Sequence, residues 1–244
     1  MGRLSCSTHS IDELVEEIRT LLNEKTLQPR TILCVNAHIY NLAWADPQLR
    51  RRLNDARVCA ADGMGIVMAA RFAGAQIAER CNMTEAFRAF LQAPGMPESR
   101  AVLLGIGSDE VQRAADAIEG TSTHCRVVEA LSGYHDDVDY KRILAKHLDA
   151  DLVLVGMGTP KTERVCSLAE KICPAAVVWG IGGGTLRIFA GAMREAPPLM
   201  RRAGLQWLHR LCTEPAAMWR RYLLGNPLFI ARVLASTRRN KNQR

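Results

Sequence analysis

The sequence lacks the cysteine arrangements that mark a disulfide framework or a zinc site. Its eight cysteines are scattered singly through 244 residues, with no CxxC pair among them. Isolated cysteines are typical of proteins that stay in a reducing cytosol. The six histidines are equally dispersed, and no two of them have H-x-x-x-H spacing. We therefore expect neither disulfide bonds nor a bound metal.

Long apolar runs are absent as well. No stretch of the chain approaches the roughly 18 apolar residues that a membrane-spanning helix needs, and the first residues lack the apolar core of a secretory signal. The sequence contains neither a Walker lysine motif nor a good G-x-G-x-x-G, which disfavours a nucleotide triphosphatase or a dinucleotide enzyme. We expect a cytoplasmic protein without a spanning segment.

The positive charge of the chain is concentrated near its C-terminus. Residues 194–244 contain eleven Lys or Arg and two Asp or Glu, a net charge of +9, whereas residues 1–193 carry a net charge of −2. This asymmetry indicates an acidic partner for the C-terminal segment. The chemical choices are anionic lipid, a diphosphate or nucleic acid.

Short apolar strands alternate with helices of about ten residues along most of the chain. Ser10, followed three residues later by Glu13, predicts a capped helix that begins at Ile11. The predicted strands are Thr31–Val35, Arg57–Ala61, Ala101–Gly105, Cys125–Leu131, Asp151–Val155 and Ala175–Ile181. Such alternation is typical of an α/β protein whose parallel sheet is flanked by helices on both faces.

The pattern changes after Pro197 and Pro198, where strands stop and basic amphipathic helices begin. The predicted elements there are the helices Leu199–Leu211, Ala216–Leu224 and Leu228–Ala235 and a basic tail, Arg238–Arg244. We therefore divide the chain into a core domain, residues 1–197, and a helical appendage, residues 198–244.

Polar residues and glycines follow several predicted strands, where an open parallel sheet binds its ligands. Asp62 follows the second strand and could act as a general base; a helix-capping aspartate is the alternative. The run Gly182, Gly183, Gly184 and Thr185 follows the sixth strand. Its backbone N–H groups could approach a diphosphate, or the run could form only a tight turn.

Lys161 and Glu163 lie in the loop after the fifth strand. Lys161 could hold a phosphate, while Glu163 could orient that phosphate or a sugar hydroxyl. The alternative is a solvent-exposed pair, which would contribute little to binding or stability.

The C-terminal helices interleave tryptophan with arginine. Trp207 and Leu211 can share one helix face with Arg210 beside them, and Trp219 precedes Arg220 and Arg221 in the next helix. This composition favours a helix that lies in a membrane interface. The alternatives are a helix packed on the core with a solvated basic face, and a nucleic-acid surface. Since no recognised nucleic-acid module is present, the last is the weakest of the three.

Several segments, in this order, resemble the WecG/TagA/CpsF family of bacterial glycosyltransferases, glycosyltransferase family 26. They are CVNAHIYNLA and ADGMGIVMAAR in the first third of the chain, LVGMGTPKTE after the fifth strand, and AGAMREAPPLMRRAGLQWLHRLCTEPAAMWRRY near the C-terminus. The resemblance runs from about Ile11 to Leu234 and is most specific in the last string.

The resemblance implies a Rossmann-like core and an inverting, metal-independent glycosyltransferase without a cofactor. The donor would be a UDP-sugar that carries an N-acetylmannosamine derivative or a hexose. The acceptor would be a saccharide on a polyprenyl diphosphate at the inner face of the plasma membrane, in cell-surface exopolysaccharide synthesis. The implied partners are this donor, this acceptor and an anionic membrane surface on which the protein is peripheral, but no nucleic acid; homo-oligomerisation is left open.

The same resemblance assigns roles residue by residue. Asp62 matches the proposed catalytic base of the family, and Asn36 matches an asparagine that serves both donor and acceptor. The other donor-side positions are Gly133, Tyr134, Gly158, Pro160, Lys161 and Glu163, beside Gly182, Gly183 and Thr185 of the glycine run. The other acceptor-side positions are Arg80, Arg210, Arg220 and Arg221.

The sequence departs from the family pattern at several of the presumed pocket positions. Arg187 occupies a position where an aspartate is expected, and Glu195 one where an arginine is expected. The remaining departures are Cys34 for threonine, Thr162 for glutamine, Gln206 for glutamate, and Cys81 and Asn82 in a stretch that normally contains glycine. They leave the donor sugar open and allow a second hypothesis, a non-catalytic subunit that binds a nucleotide sugar or a lipid diphosphate.

Overall fold

The computed structural model describes residues 4–77 and 79–241. A single sheet of six parallel strands forms the centre of the molecule, in the order β2-β1-β6-β5-β3-β4. The strands are β1 (Thr31–Val35), β2 (Val58–Ala61), β3 (Ser99–Gly105), β4 (Cys125–Leu131), β5 (Leu152–Gly156) and β6 (Val177–Gly180). All six predicted strands are therefore confirmed, with ends that differ by no more than a few residues.

Helices cover both faces of the sheet, as the alternation predicts. The helices α1 (Ile11–Asn23), α5 (Met83–Gln92), α6 (Ser108–Thr121) and α9 (Gly183–Phe189) pack on the first face. The second face is covered by α2 (Ala37–Ala45), α3 (Pro47–Asp55), α4 (Met64–Phe72), α7 (Asp137–Lys146) and α8 (Lys161–Ile172). The predicted α/β, Rossmann-like class is confirmed, including the capping box of Ser10 and Glu13 at the start of α1.

The neighbouring strands β1 and β6 send the chain to opposite faces of the sheet. After β1 the chain enters α2 on the second face, whereas after β6 it enters α9 on the first. A crevice opens at the carboxyl ends of parallel strands whose connections diverge in this way. Asn36 follows β1 and Gly182 follows β6, so these two residues lie on opposite sides of the crevice.

The C-terminal segment is helical, but its breaks differ from those predicted. The predicted helix Leu199–Leu211 is two helices, α10 (Pro198–Arg202) and α11 (Gln206–Thr213), because Gly204 has a φ of +72° that ends α10. The predicted break before Leu228 is absent: α12 (Pro215–Trp219), a π-helical turn (Arg220–Leu224) and α13 (Gly225–Lys241) follow without interruption. Pro227 is the third residue of α13 and follows the π-helical turn directly. The predicted tail is helical to Lys241, and its last three residues lie outside the described ranges.

Helix α13 is docked on the core rather than projecting from it. Phe229 is buried, and its ring makes an edge contact with Tyr40 of α2 at a centroid distance of 5.2 Å. Asn41 Nδ2 donates to the carbonyl of Gly225 at 2.7 Å, and Arg232 Nη1 donates to the carbonyl of Asn41 at 2.8 Å. Helix α13 therefore packs on the core. Within the described ranges, no helix combines the length and hydropathy required to cross a bilayer.

Candidate functional site

Asp62 lies at the carboxyl end of β2, and its carboxylate does not cap a helix. Its backbone N–H donates to Val35 at 2.9 Å, which continues the pairing of β1 with β2. Gly63, with a φ of +102°, is the residue that caps α4, and no side chain caps that helix. The helix-capping alternative is therefore wrong. The turn leaves the half-buried Asp62 side chain available for other contacts.

Two asparagine side chains hold the Asp62 carboxylate. Asn82 Nδ2 donates to Asp62 Oδ1 at 3.1 Å. Asn36 Oδ1 accepts the backbone N–H groups of His38 and Ile39, each at 3.1 Å, and so caps α2. Since its oxygen is committed to the helix, Asn36 presents its NH₂ group to Asp62, with which it forms a side-chain hydrogen bond. Asn36 therefore lies beside the candidate base.

The surroundings of Asp62 favour a proton acceptor. Burial raises the pKa of Asp62 above its ordinary value, and the hydrogen bond from Asn36 and the charges of Arg221 and Arg80 offset part of this rise. The neighbouring His38 remains uncharged at neutral pH, because burial and the charge of Arg221 lower its pKa to about 4. A carboxylate whose pKa is displaced toward neutrality is suited to take a proton from a hydroxyl group.

Gln206 connects the C-terminal helices to this carboxylate. Its Oε1 accepts from Arg80 Nη1 at 2.8 Å and from Asn82 Nδ2 at 3.3 Å, so Asn82 lies between Gln206 and Asp62. Arg80 also forms an ion pair with Glu85 at 3.2 Å. No functional role was predicted for Asn82 or Gln206, which differ from the family pattern. The position of Asn82 before α5 could have been predicted, because asparagine is a common helix cap: its Oδ1 accepts the backbone N–H of Glu85.

Two arginines of the C-terminal segment converge on the same crevice. Arg221 lies close enough to both Arg210 and Asp62 for their charges to affect its pKa. Arg210 Nη1 lies 3.8 Å from where a Cβ on Gly184 would be, so it overhangs the glycine run. Burial lowers the pKa of Arg221. The Nε atoms of both arginines are buried without a hydrogen-bond partner among the described residues. A buried guanidinium N–H without a partner destabilises the folded state unless a ligand accepts its hydrogen bond.

Arg220 is placed differently from the other predicted tail arginines. It is exposed, and its guanidinium lies over the ring of Trp219, 5.1 Å from the ring centre. The structure therefore brings Arg80, Arg210 and Arg221 toward Asp62, while Arg220 lies outside this group.

Glycines let the loops after neighbouring strands touch at this edge of the sheet. A Cβ on Gly183 would lie 2.9 Å from the carbonyl oxygen of Met157, and one on Gly133 would lie 3.0 Å from the backbone nitrogen of Ile106. Only glycine fits such approaches. Thr185, by contrast, is buried with its hydroxyl 2.9 Å from that of Thr84. Gly182 and Gly183 thus follow β6 at this edge of the sheet, whereas the Thr185 side chain faces the core.

Lys161 and Glu163 lie in the first turn of α8, not in the loop predicted for them, and they organise the loops around this edge. Lys161 Nζ donates to the carbonyls of Gly133 and His135, both at 2.8 Å, and so ties the loop after β4 to the start of α8. Glu163 is only 3% exposed, and its Oε1 accepts from Thr159 at 2.8 Å. The solvent-exposed alternative for this pair is wrong. Burial raises the pKa of Glu163, with the bond from Thr159 opposing the rise.

Gly158 and Tyr134 belong to the same loops. Gly158 has a φ of +141°, and its N–H donates to Thr162 Oγ1 at 3.0 Å. This hydrogen bond ties the loop after β5 to the start of α8. The Tyr134 side chain is 86% exposed beside this loop edge. An exposed aromatic ring at the mouth of a ligand crevice is a surface on which a nucleobase can stack.

The two charge reversals relative to the family pattern are balanced within the chain. Arg187 forms ion pairs with Glu214 at 3.2 Å and with Glu110 at 3.7 Å. Glu195 pairs with Arg88 at 3.0 Å and with Arg201 at 2.5 Å. Neither departure leaves an isolated charge in the crevice. In the part of the chain that the structure describes, no group of three or more His, Cys, Asp or Glu residues could hold a metal ion.

Comparisons with known proteins bear on this site. Residues 2–243 match the model of the Glycosyl transferase WecG/TagA/CpsF family. The chain is 27% identical over 234 residues to the N-acetylglucosaminyldiphosphoundecaprenol N-acetyl-beta-D-mannosaminyltransferase of Staphylococcus aureus strain NCTC 8325 / PS 47, covering 94% of this chain and 89% of that relative. Proteins with the same name from strains COL and N315 give the same identity and coverage. The family resemblance found in the motifs is confirmed.

Proposed function

Because the chain belongs to the WecG/TagA/CpsF family of glycosyl transferases, we propose that it transfers a sugar from a UDP-sugar to a saccharide on a polyprenyl diphosphate. The observation that carries the proposal is the placement of Asp62, held by two amides and flanked by arginines with unpaired donors. The names of the Staphylococcus aureus relatives support a lipid-diphosphate acceptor and an N-acetylmannosamine donor.

In the proposed reaction, Asp62 takes the proton of an acceptor hydroxyl. The oxygen attacks the anomeric carbon from the face opposite the diphosphate, a new glycosidic C–O bond forms, and the bond between the anomeric carbon and the phosphate oxygen breaks. The electron pair leaves with UDP, the proton stays on Asp62, and the anomeric configuration inverts. The hydrogen bonds from Asn36 and Asn82 orient the carboxylate for this step.

The charge of two diphosphates requires cationic partners, and the C-terminal arginines can supply them. We assign Arg210 and Arg221 to the diphosphate of the acceptor, with the N–H groups of the Gly182 and Gly183 turn directed at the departing UDP. Lys161 offers a remaining N–H beyond the two that hold carbonyls. Positive charge placed where negative charge develops lowers the barrier of such a transfer.

The appendage also gives a reason for a membrane location. Leu199, Trp207 and Trp219 are 80%, 37% and 41% exposed, and they lie within the segment that carries the net charge of +9. Exposed apolar side chains among cations suit contact with an anionic lipid surface. We propose that the protein is peripheral on the inner face of the plasma membrane, where its acceptor resides.

A transfer assay tests the function directly. Purified protein would be incubated with a panel of UDP-sugars and a short-chain N-acetylglucosaminyl diphospholipid in detergent, and the product identified by mass. We expect one sugar to be added to the acceptor for each UDP released, with UDP-N-acetylmannosamine among the active donors. If a UDP-sugar raises the melting temperature but no sugar reaches any acceptor, the protein would instead be the non-catalytic binding subunit.

Chelation separates this mechanism from metal-assisted transfer. Arginines and backbone N–H groups carry the phosphate charge in our proposal, so EDTA should leave the initial rate within about twofold of the untreated value. The measurement is the rate before and after chelation, with readdition of Mg²⁺ and Mn²⁺. A loss that either ion restores would contradict the metal-independent mechanism.

A further inference from the structure

Helix α4 carries an apolar face that the C-terminal helices leave uncovered. Met64, Met68 and Phe72 are spaced four residues apart and are 37%, 65% and 61% exposed. Residues at this spacing share one side of a helix. The turn that follows, residues 73–76, is exposed too and reads Ala-Gly-Ala-Gln. The exposed apolar face therefore extends beyond the helix into this turn.

This surface contains very little charge. From residue 63 to residue 77, Arg71 is the only charged residue, and its Nε donates to the carbonyl of Ile77 at 2.9 Å. Contiguous exposed apolar surface on a soluble domain marks a place where another apolar surface binds. What binds here must therefore present hydrocarbon.

Helix α4 adjoins both the reaction centre and the C-terminal helices. Asp62 leads into it through Gly63. A Cβ on Gly204 would lie 2.6 Å from Met64 Cγ, and one on Gly65 would lie 3.7 Å from the Phe229 ring. The first turn of α4 thus lies between the turn joining α10 to α11 and helix α13. The apolar face runs away from the candidate base, beside the most basic part of the chain.

We propose that α4 and the turn 73–76 form a lipid-contacting surface of their own, whose apolar side chains enter the headgroup boundary of an anionic bilayer. The inference rests on the proposed function, since a lipid-linked acceptor must reach Asp62 from the bilayer. Charge favours the bilayer over a second copy of this chain. A second copy would bring another segment of net charge +9 close to the first, whereas anionic lipid neutralises that charge.

Vesicle flotation with charge-bearing variants tests the proposal. Met68→Glu, Phe72→Glu and the double variant would be compared with wild type on phosphatidylglycerol-containing vesicles. Leu148→Glu is the matched control, because Leu148 is 58% exposed beyond the end of α7. We expect the double variant to bind at least about tenfold more weakly, since burial of two large apolar side chains is lost, and the control to bind as wild type does. The deficit should persist at high salt, which screens the contribution of the arginines.

Other readouts keep this inference separate from the proposed function. On a water-soluble, short-chain acceptor the double variant should turn over at the wild-type rate; absence of transfer by wild type would count against the function, not against the surface. If the double variant binds vesicles as tightly as wild type does, the proposed lipid-contacting surface is wrong. The proposal is also wrong if wild type is a dimer and the double variant is a monomer that still binds vesicles. If the variants do not fold, hydrogen exchange of residues 64–76 in wild type should slow on vesicles, and unchanged exchange would contradict the proposal.

Discussion

Replacing Asp62 with asparagine should lower the turnover of sugar transfer by about a hundredfold or more, because the acceptor hydroxyl loses the group that takes its proton. Asparagine keeps the size of the side chain and an oxygen that Asn82 can bond, so the geometry of the crevice is retained. The measurement is kcat at saturating donor and acceptor.

The control for this variant is Asp55→Asn, a change of the same kind at an exposed position at the end of α3. It should retain wild-type turnover. Wild-type-like turnover in Asp62→Asn would remove Asp62 from the mechanism, whatever its position in the crevice.

The stability of Asp62→Asn provides a second control. Burial raises the pKa of Asp62 in the folded protein, so the folded state holds this proton more tightly than the unfolded chain, and ionisation destabilises the fold as pH rises past the ordinary aspartate pKa. At neutral pH the variant should therefore melt at the wild-type temperature or higher. Below the ordinary aspartate pKa this gain in melting temperature should vanish, since the wild-type carboxyl is then protonated in both the folded and the unfolded state. A less stable variant at neutral pH would indicate a structural role.

Arg221→Met should also lower activity without lowering stability. The guanidinium is largely buried beside Arg210, with its Nε unpaired. Methionine fills similar apolar volume without a charge. We expect transfer to fall by about tenfold to a hundredfold, the value of one or two charge-assisted hydrogen bonds to phosphate. The melting temperature should stay the same or rise, because an unsatisfied buried donor is removed.

The matched control is Arg142→Met, at an arginine that is 66% exposed and paired with Asp139 on α7. Its transfer rate should equal that of wild type. If Arg221→Met lowers the melting temperature and leaves the Michaelis constant for the lipid acceptor unchanged, Arg221 would be a packing residue and the phosphate assignment would fail.

Sequence patterns were sufficient to predict the sheet and the position of the candidate base. Short apolar runs such as Asp151–Val155 that alternate with helices predict buried parallel strands. Because a parallel sheet brings its carboxyl ends to one edge, Asp62 and the glycine run were predicted to lie at the same edge. Both are found there, together with Asn36.

Contacts between distant parts of the chain could not be predicted. The bond between Asn82 and Gln206 joins residues 124 apart in sequence, and it depends on how α11 docks, which no local pattern encodes. The break at Gly204 was missed because the glycine lies within an otherwise continuous amphipathic pattern. The burial of Glu163 was missed for a similar reason, since a charged residue in a loop is expected at the surface, and only the packing of α8 shows otherwise.

The pH dependence of kcat/KM for wild type and Asp62→Asn tests the central claim most directly, because it reports the ionisation of the free enzyme's essential base. We expect the wild-type rate to fall on the acid side of an apparent pKa higher than that of an ordinary aspartate, and the residual rate of the variant to lack this fall. The same acid limb in both proteins would show that another group accepts the proton.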